Sequence, residues 1–113
     1  MTDCLFCKIV GKDIDSKIVH ETENTLAFED INPGAPTHVL VIPKRHIASA
    51  AELTQADGDL LGEMFEAMAT VAGNAGNEGG FRIVTNVGPD AGQSVHHLHF
   101  HILGGRAMEW PPG

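Results

Sequence analysis

Apolar and polar positions alternate along this chain with two different periods, and the change of period divides it into elements. Residues 18–20 and 25–29 are short β-compatible runs on either side of the polar "ETEN", and they predict two antiparallel strands joined by a hairpin. "INPGAPT" then breaks the chain with two prolines and a glycine, after which the branched apolar run "HVLVIPK" at 38–44 predicts a third strand. Between 53 and 77 the residues Leu60, Leu61, Met64, Phe65, Met68, Val71 and Ala72 recur at three- and four-residue steps, the stripe of one long helix. Thr54 with Asp57 resembles a capping box at its start, and Gly73, Gly76, Gly79 and Gly80 end it. Gly58 and Gly62 lower its intrinsic stability, so packing must supply the rest. "FRIVTNV" at 81–87 and "VHHLHFHIL" at 95–103 predict two further strands around the loop "GPDAGQS". Five short strands and one long helix make an α+β domain with an antiparallel sheet.

The 113 residues give room for one domain, 1–113, around a single core. A net charge of -8, with no basic run to offset it, repels the phosphate backbone of DNA and RNA, so nucleic acid is not expected as a partner. A small phosphorylated ligand remains compatible, because imidazoles and backbone amides can bind phosphate locally against an adverse net charge. No stretch is long and apolar enough to cross a bilayer, and "MTDCLFCKIV" lacks the basic and apolar regions of a secretory signal or transit peptide. The expected location is the reducing cytoplasm, away from membranes.

Four of the seven histidines fall within "HHLHFH". On an extended strand His97, His99 and His101 share a face, with neighbours ~6.6 Å apart and the outer pair ~13 Å apart at ~3.3 Å per residue. Zinc holds nitrogen at about 2.0–2.1 Å, so His97 and His101 cannot both reach one ion from a regular strand. An isolated histidine on a strand face is mostly a solvated polar residue. Three in register beside a glycine-rich loop suit another task, attack on phosphorus, since neutral imidazole is a nucleophile and exchanges protons near pH 7. His99, central in the row, is the expected nucleophile, its second ring nitrogen tied to a backbone carbonyl. His101 and its neighbours complement the phosphate charge, while the loop glycines open backbone N–H groups to oxygen and Asn86, Gln93 and Ser94 add side-chain donors.

Cys4 and Cys7 are the only cysteines, and a two-residue separation in a cytosolic chain suggests metal or redox chemistry before a structural disulfide. A thioredoxin-like reading is weak because no strand precedes the pair. Tetrahedral zinc would need two further ligands, for which histidines are the supply. Two reduced thiols without metal are the remaining alternative.

"HHLHFHIL" with "AGQS" before it and "GGR" after it resembles the histidine triad (HIT) family, and "WPPG", "FEDINPGAPTHVLVIPKRHI" and "DCLFCKIV" extend the resemblance to the Hint branch over essentially the whole chain. The resemblance implies a short N-terminal helix beside the long one, and a homodimer whose two five-stranded sheets join into one of ten strands. It implies a purine nucleoside phosphoramidase-like hydrolase in which His99 attacks the α-phosphorus of an AMP- or GMP-type substrate to give a nucleotidyl-histidine that water cleaves. His97, His101, His38 and Ser94 support that chemistry, and Asn86, Gly92, Gln93, Ser94 and Val95 contact phosphate or leaving group. Asp30 resembles the carboxylate that accepts the ribose hydroxyls, and Phe6, Ile9, Phe28, Ile31 and Leu40 the wall around the base; without the family these read as a turn Asp and core residues. Trp110 resembles a residue reaching the partner subunit's site. In some bacterial-type relatives a structural zinc site is formed by residues matching Cys4, Cys7, His46 and His97, which leaves His99 free. His96 departs from the aromatic residue expected there; it points away from the row and carries no assigned chemistry.

Three other functions use parts of this pattern. A nucleotide-binding regulator or scaffold would keep the same pocket, a diadenosine polyphosphate hydrolase would keep the nucleophile, and a zinc-handling protein would use the cysteine pair but leave Asn86, Ser94 and Trp110 unexplained.

Overall fold

The computed structural model describes residues 3–113. Helix α1 (Leu5–Val10) leads into the hairpin β1 (Ile18–Glu21) and β2 (Thr25–Glu29), then β3 (Thr37–Pro43), the long helix α2 (Gly58–Asn74), β4 (Phe81–Val84) and β5 (Phe100–Gly104). The strands form one antiparallel sheet in the order β1-β2-β3-β5-β4, so β3 and β5 sit in the interior although 56 residues separate them in the chain. This is the α+β arrangement that the sequence pattern predicts, and α1 is the short helix that the resemblance implies. Among the described residues no helix is long and apolar enough to cross a membrane.

Register converts the alternation along each strand into two faces, because residues opposite one another in an antiparallel pair point the same way. Ala27, Val41 and Phe100 stand opposite one another, and so do Phe28, Leu40 and His101. The first face receives α2: Met64, Ala67, Met68, Val71 and Ala72 pack on Ala27, Val39, Val41, Phe100 and Ile102. Each large apolar side chain buried there contributes about 1.5–3 kcal/mol, which offsets the cost of Gly58 and Gly62 inside α2. The second face is covered more thinly, by Phe6 and Ile9 of α1 over Leu26, Phe28, Leu40 and Ile42. His38 and His101 belong to this second face, so the chemistry lies opposite α2.

Several boundaries differ from the sequence expectation. The fifth strand begins at Phe100 and not at residue 95, and β4 ends at Val84 and not at 87. The last pairs of β5 are Val41 with Phe100 and Val84 with His101; β4 ends there, whereas β3 runs on to Pro43, whose carbonyl takes the His97 ring N–H, and residues 95–97 bend away. His97 and His99 therefore do not form a regular strand row with His101. The Thr54–Asp57 capping box exists, but it caps the 3-10 turn Gln55–Asp57 that runs into α2, whose own first turn has no side-chain cap. Phe65 lies at the margin of the helical stripe, 46% exposed, and meets the core in an edge contact with Phe100. Ala67 takes the central position that a small residue can fill against the sheet.

Beyond α2 the buried Asn77 donates to the Thr37 hydroxyl at 3.2 Å and the Ala72 carbonyl at 3.3 Å, fastening the helix end to β3. Its amide fills the place of a side chain on β5, for a Cβ at Gly104 would lie 2.5 Å from its Oδ1. At the outer edge β1 carries a bulge between Ile18 and His20 and a set of ion pairs: Glu21 with Lys44 at 2.7 Å and with Lys12 at 3.1 Å, and Lys17 with Glu29 at 3.6 Å.

The β1–β2 turn is held to α2 by Glu63, which accepts from the Thr22 hydroxyl, the Asn24 backbone N–H at 2.9 Å and the Asn24 amide at 3.0 Å. These donors hold the Glu63 carboxyl at about 2, below its ordinary 4.5. A depressed carboxylate stabilises the fold fully above its unfolded value and loses that contribution as pH falls through its folded value. Thermal unfolding of wild type and Glu63→Gln followed from pH 6 to pH 2 should show a lower Tm for the variant near neutrality. The gap should close between about pH 4.5 and 2. A gap independent of pH would show that the carboxylate charge does not carry this tether.

Candidate active site and metal centre

Helix α1 is only one and a half turns long, too short to persist in isolation. Its N-terminal half is tied by cysteines. Cys4 is the N-cap, its sulfur accepting from the Cys7 N–H at 3.3 Å, and both sulfurs face two imidazoles from distant loops. Cys4 Sγ lies 3.3 Å from His97 Nδ1, Cys7 Sγ lies 3.4 Å from His46 Nδ1 and 3.6 Å from His97 Nδ1, and the two Nδ1 atoms are 3.2 Å apart. Zinc, with bonds of about 2.3 Å to sulfur and 2.0–2.1 Å to nitrogen, spaces its tetrahedral ligand atoms roughly 3.3–3.8 Å apart. The four side chains therefore form a site that can hold a metal, and its S2N2 donor set is the one zinc takes.

The surroundings fit that use. His97 is fully buried, and its Nε2–H donates to the Pro43 carbonyl at 2.8 Å, which leaves the Nδ1 lone pair aimed at the cluster. Burial lowers the His97 pKa and so favours the neutral ring that ligates metal. Burial, with Cys4 alongside, raises the Cys7 thiol above its ordinary value, a cost that a bound cation would offset by taking the thiolate.

Two residues on, His99 Nδ1–H donates to the His97 carbonyl at 2.7 Å. That bond settles the tautomer and leaves the Nε2 lone pair unprotonated. The His99 carbonyl in turn accepts from the Thr85 hydroxyl at 2.8 Å, a side chain replacing the ladder bond that β4 no longer provides. Phe6 stands edge-on to both rings, its centroid 5.9 Å from His97 and 5.1 Å from His99.

His38 and His101 form a second directed chain. The Gly34 N–H donates to His38 Nδ1 at 2.8 Å, so the His38 proton sits on Nε2, 2.9 Å from His101 Nδ1 and 3.4 Å from Asp30 Oδ2. His101 Nδ1 is then an acceptor, and its own proton sits on Nε2. Burial, and then the facing rings of His99 and His38, push the His101 pKa down to about 4, so the ring is neutral near pH 7. Asp30, His38 and His101 also converge closely enough to hold a cation. The tautomer argues against that use, because a His38 ring accepting at Nδ1 has no lone pair to give at Nε2.

Beside these rings lies a cavity of about 340 Å³, in the size range of small-molecule sites. Of the residues singled out in the sequence, Phe6, Ile9, Phe28, Asp30, Ile31, Leu40, Ser94, Val95, His99 and His101 line it. His38 reaches it only through His101 and Asp30. His97 does not line it and contributes its carbonyl instead. Asn86 and Gly92 are not among its lining residues. Gln93 is buried and its amide is already spent: it donates to the carbonyls of Ala48 at 2.8 Å and Val95 at 3.0 Å and accepts from the Gly88 N–H at 2.9 Å. It shapes the loop, which turns on Gly88 and Gly92 at φ 83° and 90°. Trp110 is 82% exposed and does not line the cavity of its own chain. His96 is exposed.

Sequence reasoning missed Thr85, Pro43 and Gly34, which act through a hydroxyl, a carbonyl and an N–H, and the cavity residues Leu5, Ile14, Asp15, Ser16 and Glu29. Backbone partners leave no mark on residue type. Thr85 sits in an apolar run where threonine reads as an ordinary strand former.

Residues 3–110 match the family model described as scavenger mRNA decapping enzyme C-term binding. A 14 kDa zinc-binding protein of Zea mays is 47% identical over 111 residues, spanning 96% of this chain and 87% of that one. The crystal structure of a HIT family hydrolase from Legionella pneumophila superposes with a TM-score of 0.95 at 47% identity, covering 98% of this chain and all of the other. That of a histidine triad nucleotide-binding protein from Candida albicans superposes with a TM-score of 0.83 at 31% identity, covering 96% of this chain and 83% of that one.

Protein purified without chelator should carry close to one zinc ion per chain, with both thiols slow to react until the metal is extracted. A content well below one, with both thiols freely titratable, would remove the metal site.

Proposed function

From its membership of the histidine triad family, shown by these matches, and from the cavity beside His99, we propose that this hydrolase-type chain is a nucleotidyl hydrolase cleaving purine nucleoside phosphoramidates. The observation that carries the reading is the His99 ring. Its Nδ1 is tied to the His97 carbonyl, its Nε2 is bare, and the ring lines a cavity walled by Phe6, Ile9, Phe28 and Leu40 with the Asp30 carboxylate at its side.

In this reading the purine lies among the apolar residues and the ribose hydroxyls donate to Asp30. His99 Nε2 attacks the α-phosphorus; the new N–P bond forms as the P–N bond to the amine breaks, and the amine leaves with one proton. The His97 carbonyl stabilises the positive charge that the ring acquires. The His101 Nε2–H and the Ser94 hydroxyl, both at the cavity, donate to the phosphoryl oxygens and the departing nitrogen. Water then attacks phosphorus, restores the proton lost with the amine, and releases His99 and a nucleoside monophosphate. Zinc on Cys4, Cys7, His46 and His97 supplies structure and takes no part in the transfer. The zinc-binding relative and the four converging donor atoms support that assignment.

Assembly belongs to the same reading. Strand β4 is a sheet edge whose Phe81 and Ile83 are each more than a third exposed, and Phe65 and Val87 are exposed as well. Pairing of this edge with that of a second copy would make a ten-stranded sheet and bury those residues. Trp110 then reaches the partner subunit's cavity and contacts the leaving group.

Two experiments test this. Incubation with an adenosine phosphoramidate should release AMP, and His99→Ala should reduce the rate by at least about a thousandfold, as loss of a nucleophile does. Turnover undiminished in the variant would refute the nucleophile, and a preference for diadenosine polyphosphates would move the chain to another substrate class. Sedimentation equilibrium should give twice the chain mass, falling to one chain in Ile83→Asp; a wild-type monomer would overturn the edge pairing.

A further inference from the structure

His97 is the point where the metal centre meets the cavity, and its three bonds run in different directions. Its Nδ1 faces the sulfurs of Cys4 and Cys7 and the Nδ1 of His46, its Nε2–H is held by the Pro43 carbonyl, and its own carbonyl holds the Nδ1–H of His99 at 2.7 Å. Residues 95–97 lie outside the sheet ladder, in a bend, so no ladder hydrogen bonds fix that carbonyl. The same planar peptide unit carries the Leu98 N–H, which donates to the Ile47 carbonyl at 2.6 Å, so the unit is held from the residue that follows His46. The direction of the His97 carbonyl thus depends on how the His46–Ile47 segment and the His97 ring are held against each other, and the four-residue cluster joins the two.

The same cluster anchors α1. That helix has six residues, with Cys4 at its N-cap and Cys7 at its third position, and between them Phe6 packs edge-on against the His97 and His99 rings. Phe6 and Ile9 of this helix also form the wall of the cavity.

We infer that Cys4, Cys7 and His46 are positioning residues for His99, acting through His97: with metal bound, the His97 carbonyl is fixed, and the His99 ring is held in the tautomer and direction that bare Nε2 to the cavity. The metal centre is then more than a staple of the fold. Loss of the metal uncouples the His46–Ile47 segment from the His97 ring, so that the peptide unit held between them shifts, and it releases the helix that walls the cavity. Where a merely structural ion would change stability alone, this one also sets the hydrogen-bonded state of a ring that is not its ligand. The inference rests on the proposed nucleophilic role of His99 only for its kinetic consequence; the coupling of the ring to the metal stands on geometry.

The test reads the ring directly. In protein labelled with 15N histidine and loaded with zinc, at one fixed pH, the His99 Nδ1–H should give a downfield, slowly exchanging signal, assigned by its loss in His99→Gln. Extraction of zinc with a chelator should broaden or abolish that signal while the amide signals of β2, β3, β5 and α2 stay in place, and return of zinc should restore it. A signal unchanged in position and exchange rate after extraction would overturn the inference. Should the metal-free chain fail to fold, zinc-loaded Cys4→Ser carries the test. It should exchange the His99 Nδ1–H faster and lose about ten- to a hundredfold in kcat, the usual cost of disturbing an outer-shell partner; unchanged exchange in this folded variant would count against the coupling. Wild-type protein that shows the metal-dependent signal but no phosphoramidate cleavage would overturn the proposed function and leave the coupling intact.

Discussion

The hydrogen bond from His99 Nδ1–H to the carbonyl two residues before it, at 2.7 Å, is the constraint on which the site depends. An imidazole with a free choice of tautomer presents its lone pair on either nitrogen; this bond removes the choice. Around it the backbone is tied at both ends, by the buried His97 ring on one side and by the Thr85 hydroxyl on the His99 carbonyl on the other. A second bond of the same kind, from the Gly34 N–H to His38 Nδ1, orders His38 and His101 so that His101 presents a donor where His99 presents an acceptor. Opposite tautomers of neighbouring rings are thus set by backbone groups, with the Asp30 carboxylate beside the second chain.

The sheet separates stability from chemistry. On one face α2 supplies most of the buried apolar surface, and the side chains there are of the kind any helix-on-sheet core uses. The other face keeps only a short helix over four apolar residues, and that economy leaves room for the cavity. Interior strands β3 and β5 carry His38 and His101 because a central position fixes a side chain on both flanks, which an edge strand cannot do.

How much of this could be read from the residues depends on how local each cause is. The five strands, the long helix, and the grouping of apolar and histidine residues follow from period and turn chemistry, and both are local. The length of β5 does not: residues 95–99 have the composition of a strand, yet β4 ends at Val84 and the Pro43 carbonyl is taken by the His97 ring, information held more than 50 positions away in the second case. For the same reason the row of three histidines gives way to two different duties, with His97 turned to the cysteines and His99 to the cavity. Gln93 is a donor by type and a loop brace by position, since three backbone groups reach its amide first. Cys4, Cys7, His46 and His97 come together as the family resemblance implies, whereas spacing alone weakens the redox pair but leaves metal and idle thiols open.

The two margins of the sheet are unlike. A bulge distorts β1, and Lys12, Lys17 and Lys44 crowd it with charge, so another strand laid alongside would have to displace those ion pairs and match an interrupted register. At the opposite margin β4 has regular pairing and apolar side chains. A molecule with one guarded and one receptive margin can be extended at one side only, so growth by strand addition ends after a single joining event. The lysines gathered along β1 therefore guard that margin against further strands without limiting what the opposite side can do.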